Sequence, residues 1–196
     1  MRDAGFPPIA DRDAEILILG SLPGRRSLKA RQYYAHPMNG FWRILGRVLG
    51  ANFDVTYAGR KRLLKRHRIA LWDVVAAARR PGSLDASIVP ASIATNDFAS
   101  FFKRHPRIRL VCLNGGKAAE LYRRRVLPTL GSCADIRHVR LPSTSPAHAA
   151  MPFAKKLARW RAITSAARPS SARRCSPGSR PCRSSSGRRA RGPGQA

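Results

Sequence analysis

Four short runs of apolar and β-branched residues punctuate the chain: EILILG (15–20), RIALWDVV (68–75), RIRLVCLNG (107–115) and IRHVRLP (136–142), each closing near Gly, Pro or Asn. Runs of that length bounded by turn formers predict strands. Between them, apolar residues return at helical spacing in NGFWRILGRVLG (39–50), TYAGRKRLLKRH (56–67), DFASFFKRH (97–105), KAAELYRRRVL (117–127) and AMPFAKKLARWRAITSA from 150. That periodicity predicts helices. Strands alternating with helices imply an α/β fold whose parallel sheet is covered on both faces, with ligands binding beyond the carboxyl ends of the strands. No internal repeat interrupts this order.

The pattern stops near residue 167. ARPSSARRCSPGSRPCRSSSGRRARGPGQA holds eight arginines, no acid and no large apolar residue, so it cannot bury a core. One domain over 1–166 and a disordered Arg/Ser/Pro-rich tail over 167–196 are expected, the tail having an electrostatic arm on DNA as its functional alternative. The whole chain carries 38 Lys+Arg against 10 Asp+Glu, a formal +28, and residues 1–166 alone still carry +20. Such self-repulsion calls for a polyanion, nucleic acid first.

No apolar run approaches the roughly 20 residues of a membrane span. The opening MRDAGFPPIADRDAE has acids and prolines where a secretory leader has a basic end and an apolar core, so a cytoplasmic location is expected, nucleoid-associated on DNA. Cysteines at 112, 133, 175 and 182 form no C-x-x-C pair, which indicates neither a zinc ribbon nor a disulfide framework. No metal site is expected.

Three loops leave the predicted strand ends with small residues: GSLPG (20–24), LNGG (113–116) and LPSTSPAH (141–148). Small residues let a backbone approach a ligand and offer amide and hydroxyl donors suited to phosphate, though they also make ordinary turns. GSLPGRR is neither G-x-G-x-x-G nor a P-loop, which disfavours a nucleotide-metabolising enzyme. YYAHPMNGFW (33–42) packs two tyrosines, a phenylalanine and a tryptophan into an otherwise aromatic-poor chain.

GSLPG, YYAHPMNGFW and LPSTSPA, in that order and at strand ends, resemble the uracil-DNA glycosylase superfamily, and within it the hypoxanthine-DNA glycosylase branch. The resemblance covers roughly residues 5–165 and includes IALWDVV and the SLD at 83–85. It implies a three-layer α/β/α sandwich around a four-stranded parallel sheet. It also implies a monofunctional enzyme that flips a deaminated base, most of all hypoxanthine, out of damaged DNA and hydrolyses its N-glycosidic bond without metal or cofactor. Flipping is physically required, because the sugar carbon is unreachable inside a duplex. A monomer is expected.

By the resemblance, Tyr34 stacks on the flipped base. Its alternative is a packing tyrosine with a bonded hydroxyl. The water-positioning acid or amide of many relatives lies in the first motif, where this chain has Ser21, a poor replacement. In the hypoxanthine branch the asparagine of the HPxN segment is implicated instead, which maps to Asn39. An amide cannot serve as an efficient base, but it can orient water or sugar; it is also a favoured helix cap. Gly20 and the amides of 20–24 are candidate supports for the leaving base.

Asp73 and Asn114, at the ends of the second and third strands, are candidate base contacts, or a loop cap and a strand terminator. Ser143, Thr144, Ser145 and His148 are expected on DNA, with Arg25, Arg26, Lys29 and Arg31 as phosphate contacts, although a solvated basic face predicts the same residues. Leu141 replaces the histidine with which uracil-specific relatives bind the base oxygen, and the apolar wedge position falls on Ser145, passing that role to Pro146 or His148 if it survives. The alternatives are a uracil or mismatch glycosylase, or an inactive DNA-binding protein of the same fold.

Overall fold

The computed structural model describes residues 2–82, 84–131 and 136–167. The tail expected from 167 therefore lies, beyond Ala167 itself, outside the described residues, as do Ser83 of the SLD stretch and Cys133.

Strand β1 (Arg2–Ala4) precedes the first predicted strand, which forms as β2 (Ile16–Gly20) and leads into the short helix α1 (Arg25–Ala30). Helices α2 (Phe41–Leu49) and α3 (Tyr57–Arg66) follow, then β3 (Ile69–Asp73). The predicted strand RIALWDVV does not run through. It breaks at Val74, and β4 (Val75–Arg79) turns away to pair antiparallel with β1 and with β5 (Ala94–Thr95) in a separate small sheet. Val74 N and Val75 N bond Gly20 O and Ser21 O, so the first loop itself captures the chain where it leaves the main sheet. An apolar run cannot reveal such a bend, because both halves are buried.

Helix α4 (Phe98–Arg104), strand β6 (Leu110–Asn114) and helix α5 (Gly116–Leu121) come next. The predicted helix over 117–127 leaves the α form after Leu121, passing through a π turn at Tyr122–Val126 and a 3-10 turn at Leu127–Thr129, where Pro128 removes a donor. Strand β7 (Arg137–Leu141) and helices α6 (Phe153–Trp160) and α7 (Ala162–Ala167) complete the described chain.

The main sheet is four-stranded and fully parallel, ordered β3-β2-β6-β7. Because side chains alternate across a strand, each central strand feeds two cores. Leu17, Leu19, Ala70, Trp72, Val111 and Leu113 point into one, with Phe98, Phe101, Leu121 and Tyr122 from α4, α5 and the π turn. Ile16, Ile18, Ile69, Leu71, Leu110 and Cys112 point into the other, with Phe41, Ile44, Leu64 and Trp160 from α2, α3 and α6. The three-layer sandwich follows from this alternation.

The two sheet edges are handled differently. An Ile9–Leu71 bridge caps the β3 edge, while β7 exposes Arg137, His138 and Arg140, charges that discourage edge-to-edge pairing. Among the described residues no helix is long and apolar enough to cross a membrane. Leu17 is fully buried on the central strand β2, so Leu17→Ala should lower unfolding free energy by about 3 kcal/mol, read as a reduced urea midpoint at unchanged slope.

Candidate active site

Parallel pairing puts the carboxyl ends of β2, β3, β6 and β7 on one side of the sheet, and there they surround a cavity of about 410 Å³. Gly20 and Ser21 enter from β2, Asp73 from β3, Asn114 from β6, and Ser143, Thr144, Ser145 and His148 from the loop after β7. Tyr34 and Asn39 reach it from the segment before α2, and Arg25 and Arg26 from the start of α1. Two of the predicted basic contacts lie elsewhere: Lys29 is exposed in the last turn of α1, and Arg31 lines a separate depression beside Phe6 and Pro7.

Asn114 ties three segments together. Its Nδ2 donates to the Tyr34 hydroxyl and to Thr144 Oγ1, each at 3.0 Å, and its Oδ1 accepts from Thr144 N at 3.0 Å. Both amide protons are engaged, so a ligand could use only a remaining Oδ1 lone pair. Thr144 is buried, and its carbonyl accepts from Gly40 N at the start of α2. The loop after β7 packs so close to β6 that a Cβ on Gly115, at φ 104°, would lie 3.0 Å from Ser143 Cβ. Glycine is needed there for both reasons.

Tyr34 sits at φ 53°, a left-handed conformation uncommon for an aromatic residue. Its ring stacks on Phe41 with centroids 3.8 Å apart and planes 18° from parallel, leaving only the opposite face for any ligand. Burial, then the nearby Asp73, raises its hydroxyl pKa, so the phenol stays neutral. The neighbouring Tyr33 is a packing residue: it is buried, makes an edge contact with Phe6, and its carbonyl accepts from Trp42 Nε1. Asn39 Oδ1 accepts from Phe41 N at 3.0 Å, bracing the entry to α2. Gly40, not Asn39, is the N-cap of α2 and no side chain caps it, so the Asn39 bond is a local turn bond one residue earlier, and the side chain still borders the cavity.

Asp73 lies at the floor and is buried. A Cβ on Gly20 would come within 2.4 Å of its Oδ1 and 3.2 Å of the Tyr34 hydroxyl, so Gly20 makes room for both groups. Asp73 Oδ2 has no hydrogen-bond partner among the described residues. Desolvation, reinforced by the charge of Asp85, pushes the Asp73 carboxyl up to about 8, against the opposite pull of Tyr33 and Arg80. A neutral carboxylic acid at pH 7 is both donor and acceptor.

Ser21, in place of a first-motif acid, is buried and donates to Asp85 Oδ2 at 2.5 Å. Asp85 also lines the cavity, and sequence reasoning alone gives it no role. Its only advance signal was an acidic residue in the SLD stretch of a strongly basic chain. Beneath it lies Arg80, whose side chain is fully buried and bonds Asp3 Oδ2 and Pro23 O. Leu141, by contrast, is buried in the core against α2 and α6 and presents nothing to the cavity. Pro146 and His148 form the exposed tip of the last loop, which Lys156 secures by donating to His148 O at 2.7 Å. Among the described residues no group of three or more His, Cys, Asp or Glu side chains could hold a metal ion.

Comparison with known proteins places this geometry. Residues 7–167 match the profile of the Uracil DNA glycosylase superfamily. The chain is 43% identical over 134 residues to a hypoxanthine DNA glycosylase of Methanosarcina acetivorans, covering 64% of this chain and 84% of that one. A hypoxanthine DNA glycosylase of Methanosarcina barkeri is 45% identical over 121 residues, 61% of this chain and 75% of its own. A solution NMR structure of a Methanosarcina acetivorans protein, provisionally designated a uracil DNA glycosylase, superposes with a TM-score of 0.71 at 40% identity, covering 83% of this chain and 96% of that one. With a family match spanning most of its length, a parallel sheet of the expected form and the three loops gathered at one end of it, the chain belongs to the uracil DNA glycosylase superfamily.

Proposed function

We propose that this protein is a monofunctional DNA glycosylase that hydrolyses the N-glycosidic bond of a flipped deaminated purine, hypoxanthine in deoxyinosine. The observation that carries the choice of base is Asp73: a buried carboxyl at the cavity floor, held neutral near pH 7, with Oδ2 unpartnered among the described residues. One carboxylic acid can accept from N1–H of hypoxanthine and donate to its O6, so a lactam edge is complementary to a protonated carboxyl. The relatives named above as hypoxanthine DNA glycosylases support the same substrate.

The remaining roles follow from placement. Tyr34 offers its free face to the extruded base, the other being backed by Phe41. Asn39, its Oδ1 held by Phe41 N, keeps Nδ2 to orient sugar or water. Asn114 is a clamp on Tyr34 and Thr144. Gly20 and the amides of the first loop support the departing base beside Ser21. Ser143, Ser145, His148, Arg25 and Arg26 at the cavity mouth meet the phosphates flanking the lesion.

Among the described residues no lysine lines the cavity. That arrangement supports attack by water rather than by an amine, with an abasic site as product and no strand cleavage. The protein acts as a monomer, since one lesion needs no symmetry, and works on the cytoplasmic DNA of its cell.

The test is single-turnover incubation with duplexes carrying deoxyinosine or deoxyuridine, followed by alkali. Deoxyinosine strands should break chiefly, and Asn39→Ala should slow release by roughly 100-fold with duplex binding retained. Salt-sensitive binding without release of either base would replace the enzyme with an inactive binder.

Asp73 works protonated, so the rate should be fullest below its pKa and fall as pH rises through about 8. In Asp73→Asn that alkaline fall should disappear from whatever activity remains. A fall at unchanged pH in the variant would assign it to another group.

A further inference from the structure

The first loop carries no acid of its own, yet the fold brings one to it. Ser21 donates its hydroxyl to Asp85 Oδ2 at 2.5 Å across 64 residues of sequence. Asp85 opens the 3-10 turn Asp85–Ser87, and its side chain is 42% exposed, so solvent can reach it. The same carboxyl borders the cavity that Asp73, Tyr34 and Asn39 line. Its Oδ1 lies 4.0 Å from Arg80 Nη1, a buried nitrogen with no hydrogen-bond partner among the described residues. One oxygen is thus anchored, a buried cation lies behind the group, and lone pairs remain for the cavity.

We propose that Asp85 is the catalytic carboxylate, holding and deprotonating the water that attacks the sugar, with Ser21 as its positioning residue. This rests on the glycosylase reading above. Asn39 cannot fill the role, since an amide takes up no proton near neutral pH and its Oδ1 already accepts from Phe41 N.

In the step, the water oxygen bonds to C1′ and the C1′–N9 bond breaks. Its electron pair leaves with the purine, spread toward O6 where the Asp73 O–H donates. The water's proton passes to Asp85, which later returns it to solvent, and the purine anion takes its proton from water. Before bond formation is complete, the ionised Asp85 also stabilises the positive charge developing on the sugar.

The charged and polar groups around Asp85 fix the sign of its pH dependence. On balance burial holds the Asp85 carboxyl above the usual carboxylate range, against the Ser21 hydrogen bond, Arg80 and Lys117, which pull it down. Across the cavity Asp73 is neutral near pH 7, and Arg25, Arg26, His36 and His148 border the same space. Asp85 must be ionised to act, so the rate rises with pH through its pKa and makes the acid limb of the profile, Asp73 making the alkaline one.

The experiment compares the full-length wild type with Asp85→Asn and Ser21→Ala by single-turnover release of hypoxanthine from a deoxyinosine duplex, over roughly pH 4 to 9. Binding is read separately on a duplex carrying 2′-fluoro-deoxyinosine, which resists hydrolysis. Asp85→Asn should lose ~10²–10⁴-fold in rate with binding unchanged, its acid limb should vanish, and its alkaline limb should move to lower pH once the charge raising Asp73 is gone. Ser21→Ala keeps the carboxylate without its donor. It should lose about tenfold, with the acid limb displaced to higher pH.

Wild-type rates and an unmoved acid limb in Asp85→Asn would overturn the proposal. Should that variant fail to fold, an unmoved acid limb in Ser21→Ala overturns it equally. A wild type that releases uracil but not hypoxanthine overturns the choice of base alone, and the same variants are then scored on uracil. A wild type that releases neither overturns both.

Discussion

The Asn114 amide, standing where β6 ends, donates one proton to the Tyr34 hydroxyl and the other to Thr144 Oγ1, and accepts from Thr144 N. Three segments far apart in sequence are thereby fixed to one strand end. The constraint propagates, because Thr144 in turn accepts from Gly40 at the mouth of α2, whose first residue, Phe41, backs the Tyr34 ring. Such a closed circuit can hold Tyr34 at φ 53° against its own preference, since a buried hydroxyl or amide left unpaired would cost about 1–3 kcal/mol each. The cavity keeps its shape because its walls are bonded to one another rather than only to the sheet behind them.

Within those walls two carboxyl groups are given different environments. Asp73 is buried, next to tyrosines and the charge of Asp85, and retains its proton; Asp85 is partly exposed, accepts from Ser21 and lies over Arg80. When neighbouring acids are given different environments, one can act as a donor and the other as an acceptor, the division of labour on which the proposed mechanism rests. Arg80 is suited to its place because Asp3 and Pro23 O already engage its other nitrogens. It can bias Asp85 without projecting into the cavity.

Much of this was legible in the sequence, for identifiable reasons. Strands β2 and β6 announced themselves because both of their faces are buried and their runs end in Gly or Asn, whereas the exposed edge strand β7 was marked by its β-branched residues and the closing Pro142. The loops at their ends are legible from sequence alone, and with them Gly20, Tyr34, Asn39, Asp73, Asn114 and Ser143 to Ser145, all of which border the cavity. The bend at Val74 was hidden, since buried residues on either side of a turn read as one apolar run. Asp85 was hidden for another reason: its partnership with Ser21 spans 64 residues, and nothing local to either marks the pair. The tightness around Gly20 is likewise a property of the opposing Asp73 and Tyr34 side chains, not of the glycine's neighbours in sequence.

A body with +20 concentrates DNA at its surface, yet glycosidic cleavage develops positive charge on the sugar, which a uniformly basic site would oppose. The chain has only ten acidic residues, and two of them, Asp73 and Asp85, border this one cavity. Asp73 contributes no charge while protonated, so in the proposed mechanism the negative potential at the sugar falls to Asp85, and a second ionised carboxylate would repel the departing purine anion. Under the proposed assignment, attraction of the polyanion and stabilisation of a cation fall to different places: arginines at the mouth, one ionised carboxylate within, and one neutral acid on the floor to receive the base.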